Sequence, residues 1–508
     1  MLNNRHNISH CRYSSCIPFE NETTTRLENE IIIVTCEKDH LKKRKVIYQD
    51  SYMIIKKIRN NSSYTNLNGK NQSWNILIVG MDTMSRGRFR SSMPKTVSYL
   101  KNRNWLDYRG YQKVAFNTFP NLMSLLTGNK MSTVYNNCKP SMDLCRESMI
   151  WTKFREAGFA TAYGEDFLVL PDTFSAYGFR TAPTDHYMRP FFLTGERQIG
   201  NIVCAYSQPS ASVILNYALD FANAYKNEKF FGLFWINSYS HNKYNSPVLF
   251  DDKMKEFLEK LERSADLNNT FIVFLSDHGI RYGKLRFTVE SYYEERLPML
   301  FMWVPHEFRK QYNEQYYSLQ LNQDRLTSHL DLHMTLLHIL KMHKPSIHIH
   351  NSEACPSCVG LFKEVSPLRT CTEAGISEKW CTCHKMQKVN EDDEGSRRSL
   401  QLAVSDIQTI SANITTMACT KCSILTLKSV LRTHSYNDIL SNTTYYVIAF
   451  LMSPGDVGFE TKVMKANDVY TIVETTETIT EYNTRGNCVV NKRDRGYCVC
   501  ERLTKCKL

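Results

Sequence analysis

Between residues 73 and 345, short runs of apolar residues alternate with longer stretches in which apolar residues return every three or four positions. The first pattern predicts buried strands and the second amphipathic helices. Strands are expected at 76–79, 160–162, 230–236, 271–275 and 298–304, and helices at 94–103, 120–127, 148–157, 211–224, 251–264 and 330–340. Several of the strand runs are apolar throughout, as parallel strands covered on both faces are. This βαβ series predicts an α/β fold with a central, mostly parallel sheet and helices on both faces.

The flanks read differently. Residues 1–70 are polar with one strand run at 31–35, which predicts an extended N-terminal segment against the main domain at 71–345. From 346 to 508 cysteines cluster, the charged stretch 391–398 reads as a loop, and 443–453 and 468–479 read as strands, so a separate cysteine-rich, β-containing C-terminal region is expected.

Composition narrows the function classes. The 508 residues are 42% hydrophobic and 22% charged, the balance of a globular chain. The formal charge of +12 is spread along the sequence with no basic run interleaved with aromatics, so no nucleic-acid partner is expected, while phosphate-bearing or polyanionic glycan substrates stay open. No run of 18 apolar residues exists, so no transmembrane helix is expected. No apolar leader follows Met1, yet eleven of the 17 cysteines fall between Cys355 and Cys506, and sequons stand at Asn7, Asn21, Asn60, Asn61, Asn71, Asn268, Asn413 and Asn442. That combination points to the secretory pathway or the extracellular space, with the leader upstream of this sequence. The two Cys-x-x-Cys pairs, Cys355/Cys358 and Cys419/Cys422, are too far apart for a zinc ribbon and have Cys371, Cys381 and Cys383 between them, so disulfides of open connectivity are expected.

Three polar clusters each follow a buried strand: Asp82 after 76–79, Asn237 to His241 after 230–236, and Ser276-Asp277-His278-Gly279 after 271–275. Ligands bind beyond the carboxyl ends of strands in open α/β sheets. One such aspartate is an ordinary turn residue; three clusters at one edge predict a site. Asp82, Asp277 and His278 offer two carboxylates and an imidazole, a set suited to Zn²⁺ or Mn²⁺ rather than to an all-oxygen Ca²⁺ or Mg²⁺ site. Thr118, read as the N-cap of the helix that opens at Pro120, is the candidate nucleophile. The helix N-terminus would favour an anion beside it, and a metal or base would have to activate its hydroxyl.

The succession Asp82, Thr118-Phe119-Pro120-Asn121 with Leu126-Thr127-Gly128, then Asp277-His278-Gly279, resembles the alkaline-phosphatase-like superfamily of sulfatases, phosphodiesterases and phosphoethanolamine transferases. Over about 70–345 the chain is most similar to the animal family called domain of unknown function 229, through residues 93–96, 116–122, 237–241, 276–284 and 294–298. The resemblance implies an alkaline-phosphatase-like sandwich, with metal on Asp82, Thr118, Asp277 and His278. It implies Thr118 as nucleophile, Asn121 helping to hold the phosphoryl oxygen, and substrate contacts from His241, Asn237 and Lys284.

The departures are also informative. Sulfatases carry a Cys or Ser, oxidised to formylglycine, where Thr118 stands, and bases where this chain has Glu165 and Asp166, so sulfatase activity is not expected. Phosphodiesterases carry an Asp four residues before the equivalent of His241; here it is Asn237, so one tightly held metal is expected rather than two. His329 and His333 read as core or cap residues, and Glu294-Glu295-Arg296 as a structural ion-pair cluster. The sequence therefore predicts a metal-dependent phosphoester hydrolase, phosphodiesterase or phosphotransferase acting on a phosphate-ester or glycan-type substrate. The alternative is a non-catalytic secreted binding protein on the same fold.

Overall fold

The computed structural model describes residues 17–20, 30–504 and 506, apart from 41–42, 59–72, 139–140, 171–177, 201, 242–243, 265–266, 391, 439–440 and 482–483. The sequons at Asn7, Asn21, Asn60, Asn61 and Asn71 lie outside the described residues. The chain divides into two compact units, one of residues up to 279 with 297–375, the other of 280–296 with 376–508.

The first unit is built on a seven-stranded sheet. In chain order its strands are β1 (Asn75–Met81), β2 (Leu106–Asp107), β3 (Ala160–Glu165), β4 (His186–Tyr187), β5 (Phe230–Ile236), β6 (Thr270–Leu275) and β7 (Leu300–Trp303). Their spatial order is β2-β7-β6-β1-β5-β3-β4. β6, β1, β5, β3 and β4 run parallel, and β7 and β2 add an antiparallel edge. The expected α/β class with a mostly parallel sheet is thus observed. Side chains alternate along β1. Ile76 and Ile78 enter one apolar core with Phe231, Leu233 and Phe271; Leu77, Val79 and Met81 enter the other with Phe234, Ile236 and Phe274. Both faces are therefore dry, which is why these strands carry no polar alternation. Gly80 permits the close packing of β1 on β5, because a Cβ there would lie 2.0 Å from Trp235 Cε3.

Ahead of the sheet, the expected short strand at 31–35 is one arm of a hairpin, Ile31–His40 paired with Lys43–Met53. The second arm escaped notice because its lysines, arginine and aspartate break up the apolar run.

The second unit contains a sheet of Gln387–Lys388, Thr426–Asp438, Thr443–Ser453, Val457–Ala466 and Val469–Ile472, with Glu477–Thr478 also pairing to Val457–Ala466. Two expectations are corrected here. The charged stretch 391–398 is not a loop: Asp393 caps a helix, Glu394–Ala412, by accepting from Ser396 N, and Ala403 and Ile407 pack against Tyr446, Ile448 and Phe450. Glu391 itself lies outside the described residues. The single strand expected at 468–479 is two: Val469–Ile472 begins after a tight hairpin turn in which Asn467 and Asp468 take left-handed conformations, and Glu474, also left-handed, breaks the run before Glu477–Thr478.

Glu295 and Arg296 do form a structural cluster. Arg286 Nη2 and Arg296 Nη2 reach Glu460 Oε1 at 3.2 and 3.0 Å, Arg432 pairs with the same carboxylate, and Arg296 Nη1 bonds Glu295 at 2.8 Å. Burial opposes the charge on Glu460, and the three guanidiniums outweigh it and hold its carboxyl well below the ordinary range.

Among the described residues disulfides join Cys138–Cys145, Cys355–Cys358, Cys419–Cys506, Cys422–Cys498 and Cys488–Cys500, and Cys371 and Cys381 are also disulfide-bonded. Peptide mapping without reduction is expected to recover these five pairs. Cys422–Cys498 spans 76 residues and would alone stabilise by about 4 kcal/mol in the chain-entropy model. Cys419–Cys506 closes nearly the same loop, so replacing Cys422 and Cys498 by Ser is expected to cost clearly less than that in denaturant unfolding.

Candidate active site

The register of the central strands creates the site. Ile236 pairs with Met81 and Leu275 with Gly80, so the residues that follow β5, β1 and β6 leave the sheet side by side. Asp82 N donates to Ile236 O at 2.9 Å, which fastens the first of these turns to the neighbouring strand. Asp82 and Asp277 are fully buried and His278 nearly so.

Asp82, Asp277 and His278 form a group whose ligand atoms lie within 4.8 Å of one another. His278 Nε2 stands 3.2 Å from Asp277 Oδ2 and 4.0 Å from Asp82 Oδ1. Thr118 Oγ1 donates to Asp82 Oδ1 at 3.1 Å and lies 3.4 Å from His278 Nε2. Tetrahedral ligands of a zinc ion are separated by about 3.3 Å, so these spacings fit a divalent cation. Two further observations agree. His278 Nδ1 lies 2.7 Å from Gly279 O, which fixes the proton on Nδ1 and leaves Nε2 with a lone pair facing the carboxylates. Asp277 Oδ2 is buried and accepts no hydrogen bond, a costly state for a carboxylate oxygen unless a cation meets it. Burial raises the Asp277 carboxyl, but the charge of His278 in its protonated form and the Thr83 N–H outweigh it and hold it below its usual range.

Thr118 opens a helix, Thr118–Thr127, whose residues are all buried. The sequence reading of Thr118 as a surface N-cap is corrected: Asn117 is the cap, and Thr118 is the first helical residue, 3% exposed. Leu122, Met123, Leu125 and Leu126 embed the helix in the core, which draws its N-terminus inward towards the strand ends.

Asn121 carries a different load from the one expected. Its Oδ1 accepts from Val114 N and Ala115 N, both at 3.0 Å, and its Nδ2 donates to Ala115 O and Asn117 O at 2.9 and 3.0 Å. Both amide hydrogens are therefore spent on the segment leading to Thr118. Asn121 staples that segment to the helix, and in this structure it is not a donor waiting for a phosphoryl oxygen.

His241 is brought to the group: its Nε2 lies 3.9 Å from Asp82 Oδ2, and its ring is half-buried. Asn237 is turned elsewhere, its Nδ2 bonding Glu165 Oε1 at 3.2 Å and Asp166 O at 2.7 Å. Asp166 accepts from Asn237 N and from the Ser238 hydroxyl, each at 2.6 Å. Burial and the nearby Glu196 push the Asp166 carboxyl up to about 8 against those donors. Lys284 belongs to the second unit, exposed at the start of the turn Lys284–Phe287. His329 and His333 are buried at the start of the helix His329–His343, and burial drives both imidazoles down to about 4. His333 Nδ1 meets Leu125 O at 2.8 Å, so it is a core residue.

Sequence reasoning missed Thr83 and, though it placed Ser276 in the third cluster, gave it no role. Thr83 N donates to Asp277 Oδ1 at 3.1 Å and Thr83 Oγ1 to Asp82 Oδ1 at 2.8 Å, so one residue orients both carboxylates. Ser276 Oγ lies 3.2 Å from Asp277 Oδ1 and accepts from Met84 N at 2.8 Å. Neighbouring the aspartates in sequence was the only available signal.

Replacing Asn121 by Ala strands the N–H groups of Val114 and Ala115 and the carbonyl of Ala115, while Asn117 O keeps the backbone N–H of residue 121, and is expected to destabilise the fold by about 3 kcal/mol in denaturant unfolding. His333 is neutral when folded and binds a proton when unfolded, so its contribution is complete above pH 6.5 and is lost as pH falls towards 4. The loss approaches about 3 kcal/mol. The slope of stability against pH in that window is expected to be shallower for His333→Asn than for the parent.

No curated protein matches the sequence. Among solved structures the chain is similar to a protein in the alkaline phosphatase superfamily from Vibrio parahaemolyticus, at 12% identity and TM-score 0.43, covering 84% of this chain and 86% of that one. It is similar to the lipoteichoic acid synthase LtaP from Listeria monocytogenes, at 18% identity and TM-score 0.40, covering 58% and 75%. It is also similar to the C-terminal periplasmic domain of EcEptC from Escherichia coli in complex with Zn, at 14% identity and TM-score 0.39, covering 59% and 91%. The family model described as protein of unknown function DUF229 matches residues 3–431, and the chain belongs to that family.

Proposed function

We propose that this protein is a metal-dependent enzyme of phosphate esters, a hydrolase, phosphodiesterase or phosphotransferase, with Thr118 as its nucleophile. The observation that carries the reading is the buried Thr118 hydroxyl, donating to Asp82 and set beside the lone pair of His278 Nε2. A threonine that merely opens a helix has no need of two carboxylates and an imidazole around its oxygen.

Asp82, Asp277 and His278, with Thr118 Oγ1, would hold one Zn²⁺ or Mn²⁺. The bound cation supplies positive charge against the negative charge that builds on the phosphoryl group and makes the hydroxyl a better nucleophile. Thr83 and Ser276 keep the carboxylates aimed. Thr118 Oγ attacks phosphorus as the ester oxygen departs, its proton already directed at Asp82 Oδ1. The resulting phosphothreonine is opened by water in a hydrolase, or by an acceptor hydroxyl in a transferase. His241, half-buried beside Asp82, faces the place a substrate takes and would contact it. The disulfides favour an oxidising compartment, and Asn268, Asn413 and Asn442 are exposed in their sequons, so the secretory lumen or the extracellular space is the proposed location. No helix among the described residues is long and apolar enough to cross a membrane.

The test uses protein expressed through a secretory pathway and assayed with 4-nitrophenyl phosphate, bis(4-nitrophenyl) phosphate and 4-nitrophenyl sulfate, with Zn²⁺ or Mn²⁺. Turnover of a phosphate ester but not of the sulfate is expected, with about one metal per chain by elemental analysis. Thr118→Ala is expected to abolish turnover at a stability cost of about 1 kcal/mol. Parent-rate turnover by Thr118→Ala would overturn the mechanism. Metal-loaded protein inert towards every ester would favour the binding-protein reading.

A further inference from the structure

Arg88 lies in the short helix Arg86–Ser92, whose cap Ser85 accepts from Arg88 N at 3.0 Å. Its side chain is among the largest fully buried ones in the protein. The guanidinium is directed at main-chain carbonyls of two separate turns. Nη1 donates to Thr83 O and to Ser240 O, both at 2.8 Å, and Nε and Nη2 donate to Tyr244 O at 3.0 and 2.8 Å. The Tyr244 ring packs on the guanidinium, 5.3 Å from ring centre to Cζ. Thr83 directly follows Asp82, and Ser240 directly precedes His241.

The Thr83 carbonyl has a special reason to need a fixed donor. Thr83 has φ +60°, the left-handed region, which a β-branched residue enters only under constraint. Such strain persists where surrounding contacts over-determine it. Three contacts do so here: the N–H on Asp277, the hydroxyl on Asp82, and the carbonyl under Arg88. The first two aim the carboxylates; the third ties the strained turn to the loop that carries His241.

We infer that Arg88 is a positioning residue which locks the Asp82 turn to the His241 loop and so sets the distance between the metal group and His241. A planar fork of donors performs this task; lysine carries its three donors on one nitrogen and cannot meet carbonyls that Nε, Nη1 and Nη2 reach from separate positions. The kinetic consequence rests on the phosphoester reading above, whereas the structural consequence does not.

The experiment compares the parent with Arg88→Lys, which keeps the charge, and Arg88→Met, which removes it. Hydrogen–deuterium exchange is followed in 82–86 and 238–241, with the amides of Asn75–Met81 and Phe230–Ile236 as internal reference. In Arg88→Lys both turns are expected to exchange at least ten-fold faster together, with the strands unchanged and about one zinc still bound. With a phosphate ester that the parent turns over, kcat is expected to fall at least thirty-fold and KM to change less than three-fold. Unchanged exchange in both turns, acceleration in one alone, or acceleration only in step with the strands would each overturn the inference. Should Arg88→Met fail to fold, Arg88→Lys carries the test. A parent inert towards all esters would remove the function reading and leave the exchange result to decide the role of Arg88.

Discussion

The alignment of three parallel strand ends is the constraint from which the site follows. β6, β1 and β5 are hydrogen-bonded neighbours whose last residues stand abreast, and Asp277, Asp82 and the His241 loop begin where the ladders stop. A slip of one residue in either pairing would send every side chain of that strand to the wrong face. The apolar layers on both sides of the sheet make such a slip prohibitive, and Gly80 under Trp235 fits only one register. The hydrophobic effect thus fixes the positions of buried carboxylates that it could never favour by itself.

Those carboxylates are expensive. Asp82 and Asp277 are both fully buried, close to each other, and met by fixed donors: Thr83 N–H, the Thr83 hydroxyl and the Thr118 hydroxyl. Donors of this kind orient charge but do not neutralise it. A divalent cation would do both, and His278, held as its Nδ1–H tautomer by Gly279 O, is ready to share the ion. The same donors make the turn at Thr83 strained, which is the local cost of placing two anions at one point.

Much of this was legible in the sequence. Apolar runs without alternation marked strands buried on both faces, and polar clusters just beyond three of them marked the edge where chemistry gathers. Asp82, Thr118, Asp277, His278 and His241 lie close to one another at that edge. What escaped depends on how the backbone folds. The hydrogen bonds of Asn121 are near in sequence but are set by how the 114–117 segment turns back, and Arg88 reaches carbonyls more than 150 residues away, so neither task shows as a residue pattern. The helix Glu394–Ala412 was hidden for a different reason: its first turns are charged, and its apolar face at Ala403 and Ile407 emerges only later.

Two departures from related sequence patterns turn out to be one structural feature. The resemblance read from the sequence sets Glu165 and Asp166 against the bases expected of sulfatases, and Asn237 against the carboxylate expected of phosphodiesterases; in the fold these residues are hydrogen-bonded to each other. An aspartate at 237 would set a third buried carboxylate about as close to Glu165 as Asn237 Nδ2 is now, at 3.2 Å, with no donor between them. The amide instead donates to the Glu165 carboxylate and the Asp166 carbonyl, and its backbone N–H steadies Asp166. Asn237 is thus the residue that Glu165 and Asp166 require. Glu165 and Asp166 are thus also what keep the charge at position 237 from being negative.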